Sequence, residues 1–189
     1  MPSDRETAFA VWLTGLPASG KSTVARALAA ELGGKGIRAA VLESDAVRRE
    51  IAPNAGYGEV ERDAFYATLA YLARVLVSHG VPVIVDATAN RRAYRDRARA
   101  AIPRFLEAHV RCPLAVCQAR DPKGIYRRGA EGTAQNVPGV SAAYEPPLLP
   151  EVAVDGERDD PADAARRIVS ALEKKGFLPR GPGDATGTG

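Results

Sequence analysis

The sequence is poor in the residues that crosslink a chain or hold a metal. Its 189 residues include two cysteines and two histidines. Cys112 and Cys117 flank one short apolar segment, a placement that fits neither a disulfide framework nor a four-ligand zinc site. They read as buried, reduced thiols. Aromatic residues make up 6% of the chain, with a single tryptophan. Nowhere do about 18 apolar residues run together, the length a membrane helix needs. Met1 to Thr7 is polar and lacks the apolar core of a signal peptide. These absences lead to the expectation of a soluble, cytoplasmic protein with no membrane partner. Charge of one sign is also lacking: 26 basic residues face 23 acidic ones, for a net charge of +3. No nucleic-acid partner is expected from so even a balance. Internal repeats are absent.

What is present is the length for one well-buried core and a regular alternation. Short apolar runs predict strands at Phe9 to Thr14, Arg38 to Glu43, Val81 to Asp86, Phe105 to Arg111 and Glu151 to Val154. Helical periodicity lies between and after them, near Lys21 to Leu32, Asp45 to Ile51, Glu59 to Ser78, Arg91 to Ala101, Pro113 to Ala119 and Pro161 to Lys175. In the segment from Glu59, the residues Phe65, Leu69, Leu72, Leu76 and Val77 share one face. This is the pattern of an α/β fold, a parallel five-stranded sheet flanked by helices. The expected domain spans residues 1–178. Asp121 to Pro150 breaks the alternation, rich in Gly and Pro, and reads as a functional loop or lid. Residues 179–189 have almost nothing to bury and read as a disordered tail.

The sharpest motif is Gly15-Leu16-Pro17-Ala18-Ser19-Gly20-Lys21-Ser22, followed by Thr23. It matches G-x-x-x-x-G-K-[ST], after an apolar strand and before a helix, which makes the chain a P-loop nucleotide binder by expectation. Glycines let backbone N–H groups turn onto phosphates at the positive end of a helix. Lys21 reaches the β and γ oxygens of ATP, and Ser22 is placed to ligate Mg²⁺.

Two acidic positions complete a candidate phosphoryl-transfer site. Asp45 follows the second strand, at the carboxyl edge where α/β ligand crevices form. A carboxylate there can take a proton from an attacking hydroxyl, with Arg48 one turn on to hold an anionic group. Alternatively, Ser44 or Asp45 simply caps the next helix. Asp86 ends the third strand as a Walker B carboxylate does, placed for Mg²⁺. The other reading is a strand-end Asp that satisfies loop amides. Base and metal roles are not divided between the two carboxylates by sequence. Arg91, Arg92, Arg95, Arg97 and Arg99 crowd one helix, in the manner of a solvated face. Arg92, in its first turn, is the candidate for a substrate contact. Arg120 stands at the entry to the lid, where a guanidinium can cover ATP.

From Ala10 to Phe177 the chain resembles the adenylylsulfate (APS) kinases. The resemblance is carried by Trp12-Leu13-Thr14-Gly15-Leu16, by Cys117-Gln118-Ala119-Arg120-Asp121-Pro122-Lys123-Gly124-Ile125-Tyr126, and by Pro138-Gly139-Val140 with Tyr144-Glu145-Pro146-Pro147. It implies transfer of the ATP γ-phosphoryl group to the 3′-hydroxyl of adenylylsulfate, with Mg²⁺ on the triphosphate, and a homodimer. Matched by position, Asp45 resembles the family's acidic residue near the acceptor, Arg48 and Arg62 its substrate-anion arginines, Tyr57 its aromatic at the adenine, and Lys123 its lid lysine. Departures cluster on the acceptor side. The family's Asp-Gly-Asp-Asn-Val-Arg is Glu43-Ser44-Asp45-Ala46-Val47-Arg48 here, its asparagine is Phe65, and its lid phenylalanine is Val137. Ala89 replaces a serine that some members phosphorylate, so no phosphoserine intermediate is expected. A kinase of another small, anionic hydroxyl compound, or a nucleotide-binding module without transfer activity, are the alternative functions.

Overall fold

The computed structural model describes residues 8–54 and 56–179. The expected tail beyond residue 179 and the polar start of the chain lie outside the described residues. β1 (Ala10–Thr14) leads through the glycine-rich loop into α1 (Lys21–Gly34) and β2 (Ala40–Glu43). Then come α2 (Ser44–Ile51), α3 (Glu59–Ser78), β3 (Val83–Asp86), α4 (Arg92–Ala101) and β4 (Phe105–Arg111). α5 (Leu114–Arg120), α6 (Ile125–Ala130), β5 (Val152–Asp155) and α7 (Pro161–Lys174) complete the order.

The five strands form one parallel sheet in the order β2-β3-β1-β4-β5. β1 is central, and its period of two divides the core. Phe9, Val11 and Leu13 pack with Leu28, Leu32, Ile168 and Leu172 of α1 and α7. Ala10 and Trp12 pack on the opposite face with Leu69, Ala73, Tyr94 and Ala98 of α3 and α4. With both faces covered, β1, β3 and most of β4 are buried, as a parallel sheet requires. On the α4 side β4 carries Glu107, which Arg95 meets at 2.6 Å and Arg99 at 3.3 Å, so a buried carboxylate is paired.

The chain leaves β1 toward β2 and later crosses from β3 to β4 on the other side. The carboxyl ends of β1 and β3 therefore flank a topological switch point, with Leu13 and Asp86 in register.

Several boundaries differ from the sequence expectation for identifiable reasons. β3 begins at Val83 rather than Val81, because the Val81 amide wraps back onto the Leu76 carbonyl at the end of α3 and Pro82 has no N–H. β2 begins at Ala40 rather than Arg38, where its amide first finds a ladder partner in the Pro82 carbonyl. The buried face of α3 is Arg62, Phe65, Tyr66, Leu69, Ala70, Ala73 and Val77, rotated slightly from the expected stripe so that Leu72 and Leu76 are only half-buried. The segment 121–150 is more ordered than an open loop. It contains α6 and a small core of its own, with Cys117, Tyr126 and Val137 packed against Leu16 and Leu114. Among the described residues no helix is long and apolar enough to cross a membrane.

Candidate active site

A cleft of about 980 Å³ opens at the switch point and brings together segments distant in sequence. Its floor is the loop after β1. Gly20 holds φ near +100°, a conformation only glycine adopts without strain, and Ala18 is held at +62° despite its side chain. Lys21 is 7% exposed, and its Nζ donates to the carbonyls of Gly15 (3.1 Å) and Leu16 (2.8 Å). Burial pushes the Lys21 ammonium below the usual lysine value, and the carboxylates of Asp86 and Asp45 oppose that shift. The ammonium is thus a desolvated cation resting on weak acceptors, able to exchange them for phosphate oxygens.

Pro17, Ala18, Gly20, Lys21, Ser22 and Thr23 line the cleft, while Gly15, Leu16 and Ser19 shape the loop from behind. A Cβ on Gly15 would stand 2.4 Å from the Val110 carbonyl oxygen, so the start of the loop is pressed against β4. Gly156, after β5, presses from the other side: its amide donates to the Arg111 carbonyl and its own carbonyl accepts from Arg120 Nη1 at 2.8 Å. A Cβ there would lie 1.9 Å from the Ser19 carbonyl oxygen.

Asp86 is 5% exposed at the end of β3 and lines the cleft. Among the described residues its carboxylate has no hydrogen-bond donor, which argues against a role in satisfying loop amides. Ser22 lines the same cleft with its hydroxyl equally uncommitted. No group of three or more His, Cys, Asp or Glu side chains forms a ready metal cage among the described residues. Two uncommitted oxygens beside a phosphate cradle fit Mg²⁺, which usually takes one or two protein ligands together with phosphates and water.

Asp45 does not cap α2: the N-cap is Glu43, with no side-chain cap. Its Oδ2 instead accepts a charge-assisted hydrogen bond from Lys123 Nζ at 2.6 Å, and Glu43 adds a carboxylate 3.7 Å from the same ammonium. Partial burial lowers the Lys123 pKa, but the hydrogen bond and charge of Asp45 outweigh it and hold the ammonium above its usual value. The lid is therefore fastened onto the candidate base.

Beyond Asp45, Arg48 is 8% exposed, its Nη1 donates to the Gly56 carbonyl at 3.2 Å, and its guanidinium lies over Phe65. Tyr57 is half exposed at the rim. Arg62 is committed differently: Nη1 donates to Asn90 Oδ1 at 3.2 Å and Nη2 to the Asn136 carbonyl in the lid. Asn90 Nδ2 in turn donates to the Ala143 carbonyl at 2.9 Å.

Arg92 is the expected site residue that the fold turns away. Its amide bonds Glu145, its guanidinium faces Glu145 and Pro146, and it is not part of the cleft wall, because the first turn of α4 abuts the 144–147 segment. Arg91 and Arg97 meet Glu59 and Asp63 at the surface, whereas Arg95 and Arg99 pair with Glu107, so the arginine-rich helix is only partly a solvated face.

Sequence reasoning missed Glu43, Asn90, Asn136 and Gly156. Only the last had a legible signal, a glycine directly after a strand-end Asp at the carboxyl edge of the sheet.

The model of the adenylylsulphate kinase family matches residues 7–155. The chain belongs to the adenylylsulphate kinase family. Members of the family are ATP-dependent kinases that act on a hydroxyl group. A probable adenylyl-sulfate kinase of Archaeoglobus fulgidus is 40% identical over 152 residues, covering 80% of this chain and 98% of its own. A probable bifunctional SAT/APS kinase of Sorangium cellulosum is 35% identical over 91% of this chain, which spans only 30% of that protein's length. Among solved structures, the APS kinase of Mycobacterium tuberculosis in complex with AMPPNP and APS superposes with a TM-score of 0.83 at 30% identity, covering 88% of this chain and 98% of that one. Like the other kinases of the adenylylsulphate kinase family, the chain uses ATP, and a small molecule is its other substrate.

Proposed function

We propose that the protein transfers the γ-phosphoryl group of ATP to the 3′-hydroxyl of adenylylsulfate, giving 3′-phosphoadenylylsulfate and ADP. The observation that carries this reading is the meeting in one cleft of the phosphate loop, Asp86, and an acceptor-side Asp45 fastened to the lid by Lys123. The similarity to adenylyl-sulfate kinases along most of the chain supports the choice of acceptor.

In this reading the amides of the loop from Gly15 to Thr23 and the Lys21 ammonium bind the triphosphate, with Arg120 beside the base. Asp45 orients the 3′-hydroxyl and accepts its proton as the oxygen attacks the γ-phosphorus. The bond from phosphorus to the β–γ bridging oxygen breaks, and ADP leaves with that oxygen. Lys123 lets go of Asp45 and turns to the anionic reactants. Arg48, Tyr57 and Arg62 hold the acceptor, Arg62 partly by fixing the lid. Arg92 contributes from outside the cleft wall, by steadying the 144–147 segment.

Ser22 and Asp86 would hold Mg²⁺, which when bound neutralises charge on the β and γ oxygens. Closure of the 121–150 lid excludes water, which would otherwise take the phosphoryl group. We also take the catalytic unit to be residues 1–178, working as a homodimer in the cytoplasm.

The test follows ADP release from Mg-ATP with and without APS. Release that needs APS is expected, and release only with another hydroxyl acceptor would refute the assignment. Asp45→Asn should lower kcat by about 10²- to 10⁴-fold, the usual contribution of a general base, with the KM for ATP nearly unchanged. Loss of ATP affinity by the same factor would make Asp45 a metal-site residue instead.

A further inference from the structure

Phe65 stands on α3 at 5% exposure and lines the acceptor end of the cleft. Behind it the aromatic packing is continuous: Tyr66 meets its ring edge-on at 5.3 Å, and Tyr66 stacks on Tyr94 of α4 at 4.6 Å. The Tyr66 hydroxyl is anchored in turn, accepting from the Ala89 amide at 3.0 Å. In front of Phe65 lies Arg48, its guanidinium carbon 4.0 Å from the Phe65 ring centroid and 4.8 Å from that of Tyr57.

Arg48 is nearly buried, yet no carboxylate pairs with it among the described residues, and its one hydrogen bond there goes to the Gly56 carbonyl. A guanidinium has five N–H donors, all directed along its edges, while its faces are what an aromatic ring binds. An amide or carboxylate at position 65 would hold Arg48 by consuming edge donors. A ring holds it by a face and leaves those donors free.

We propose that Phe65 is a positioning residue for the acceptor: by cation–π contact it fixes the Arg48 guanidinium at the cleft wall with its edge donors available to an anionic acceptor. The inference rests on the reading that this end of the cleft takes the phosphosulfate-bearing substrate. Because the ring is backed by Tyr66 and Tyr94, the guanidinium is ordered before the acceptor arrives, and less is lost on binding. Here recognition depends on Arg48 and on a residue that never needs to donate or accept a hydrogen bond.

The test is steady-state kinetics of Phe65→Leu, Phe65→Met and Phe65→Tyr with APS and Mg-ATP, together with Phe65→Leu in an Arg48→Met background. Phe65→Leu and Phe65→Met should raise the KM for APS about 2- to 30-fold, the range set by cation–π contacts between exposed and desolvated sites. The KM for ATP should stay at the wild-type value, and Phe65→Tyr, which keeps the ring face, should restore the KM for APS. Without Arg48, Phe65→Leu should raise the KM no further. An unchanged KM for APS in both Phe65→Leu and Phe65→Met overturns the proposal. So does a matching rise in both substrates' KM values, or the same loss with Arg48 absent. Wild-type protein that transfers nothing to APS overturns the functional reading itself, and this one with it.

Discussion

Gly156→Ala is the substitution through which the geometry of the phosphate loop is most directly tested. The added Cβ would lie 1.9 Å from the Ser19 carbonyl oxygen, 3.1 Å from its carbonyl carbon and 2.9 Å from Val110 Cγ1. The nearest obstacle is backbone, so no rotamer change relieves it, and one of two segments must move by more than an ångström. The turn after β5 is the stiffer of the two. Asp155 Oδ1 accepts from the amides of Glu157 and Arg158, the Asp155 amide donates to Asp159 Oδ2 at 2.7 Å, and Gly156 is tied to Arg111 and Arg120. The Ser19 peptide is held by fewer bonds, through its amide to the Leu16 carbonyl at 3.1 Å, so the phosphate loop yields. Overpacking of this kind costs about 1–3 kcal/mol. Taken from nucleotide binding, that is about a 5- to 150-fold rise in the Kd for ATP. Titration calorimetry or an ATP-dependent thermal shift reads the effect directly. The KM for APS should change far less, since the acceptor end is built from α2, α3 and the lid. Wild-type ATP affinity in Gly156→Ala would refute the view that this contact sets the loop's position.

Two further outcomes concern stability. His109, on β4, is pushed down from its usual value to about 4 by burial, aided by Arg111 and Arg95. The unfolded chain therefore binds a proton near pH 6.5 that the folded chain refuses until about pH 4, and stability falls as pH drops through that window. The loss is on the order of 2 kcal/mol after allowance for partial water access. His109→Gln should flatten the melting temperature between pH 6.5 and about 5.5, above the range in which the unfolded chain's Glu151 binds a proton that the folded one refuses, its burial being outweighed by Arg99, the Glu107 amide and Lys175, which hold it at about 2. An unchanged slope would show that His109 is not the group responsible. Gly33→Ala places a methyl group in α1 where nothing lies within 4 Å, and should raise stability by about 0.5–1 kcal/mol in urea denaturation. A decrease would mean that the end of α1 needs glycine for a reason its surroundings do not reveal.

The order of the strands and of every helix except α6 was legible because those elements announce themselves locally. The continuous apolar run from Phe9 to Leu13 and the 3.6-residue period from Glu59 are one-dimensional signals, and the start of β3 shifted where Pro82 and the end of α3 took over the hydrogen bonds. The phosphate loop was legible for the same reason: its chemistry lies in consecutive residues. The acceptor side was not. Arg62 was expected at a substrate anion and is bonded to Asn90 and the lid, while Arg92, expected at the substrate, packs against Glu145. An arginine in sequence has a charge but no direction.

By itself the sequence determined the α/β alternation, the phosphate-loop motif between β1 and α1, and the placing of Asp45 just after β2 and Asp86 at the end of β3, since these follow from periodicity and from contiguous residues. Only the tertiary structure decided that Lys123 reaches Asp45, that Gly156 presses on Ser19, and that Arg48 lies against the ring of Phe65. Those contacts join segments that the parallel sheet brings to one edge. Their energies depend on distances of a few ångströms that no local pattern encodes.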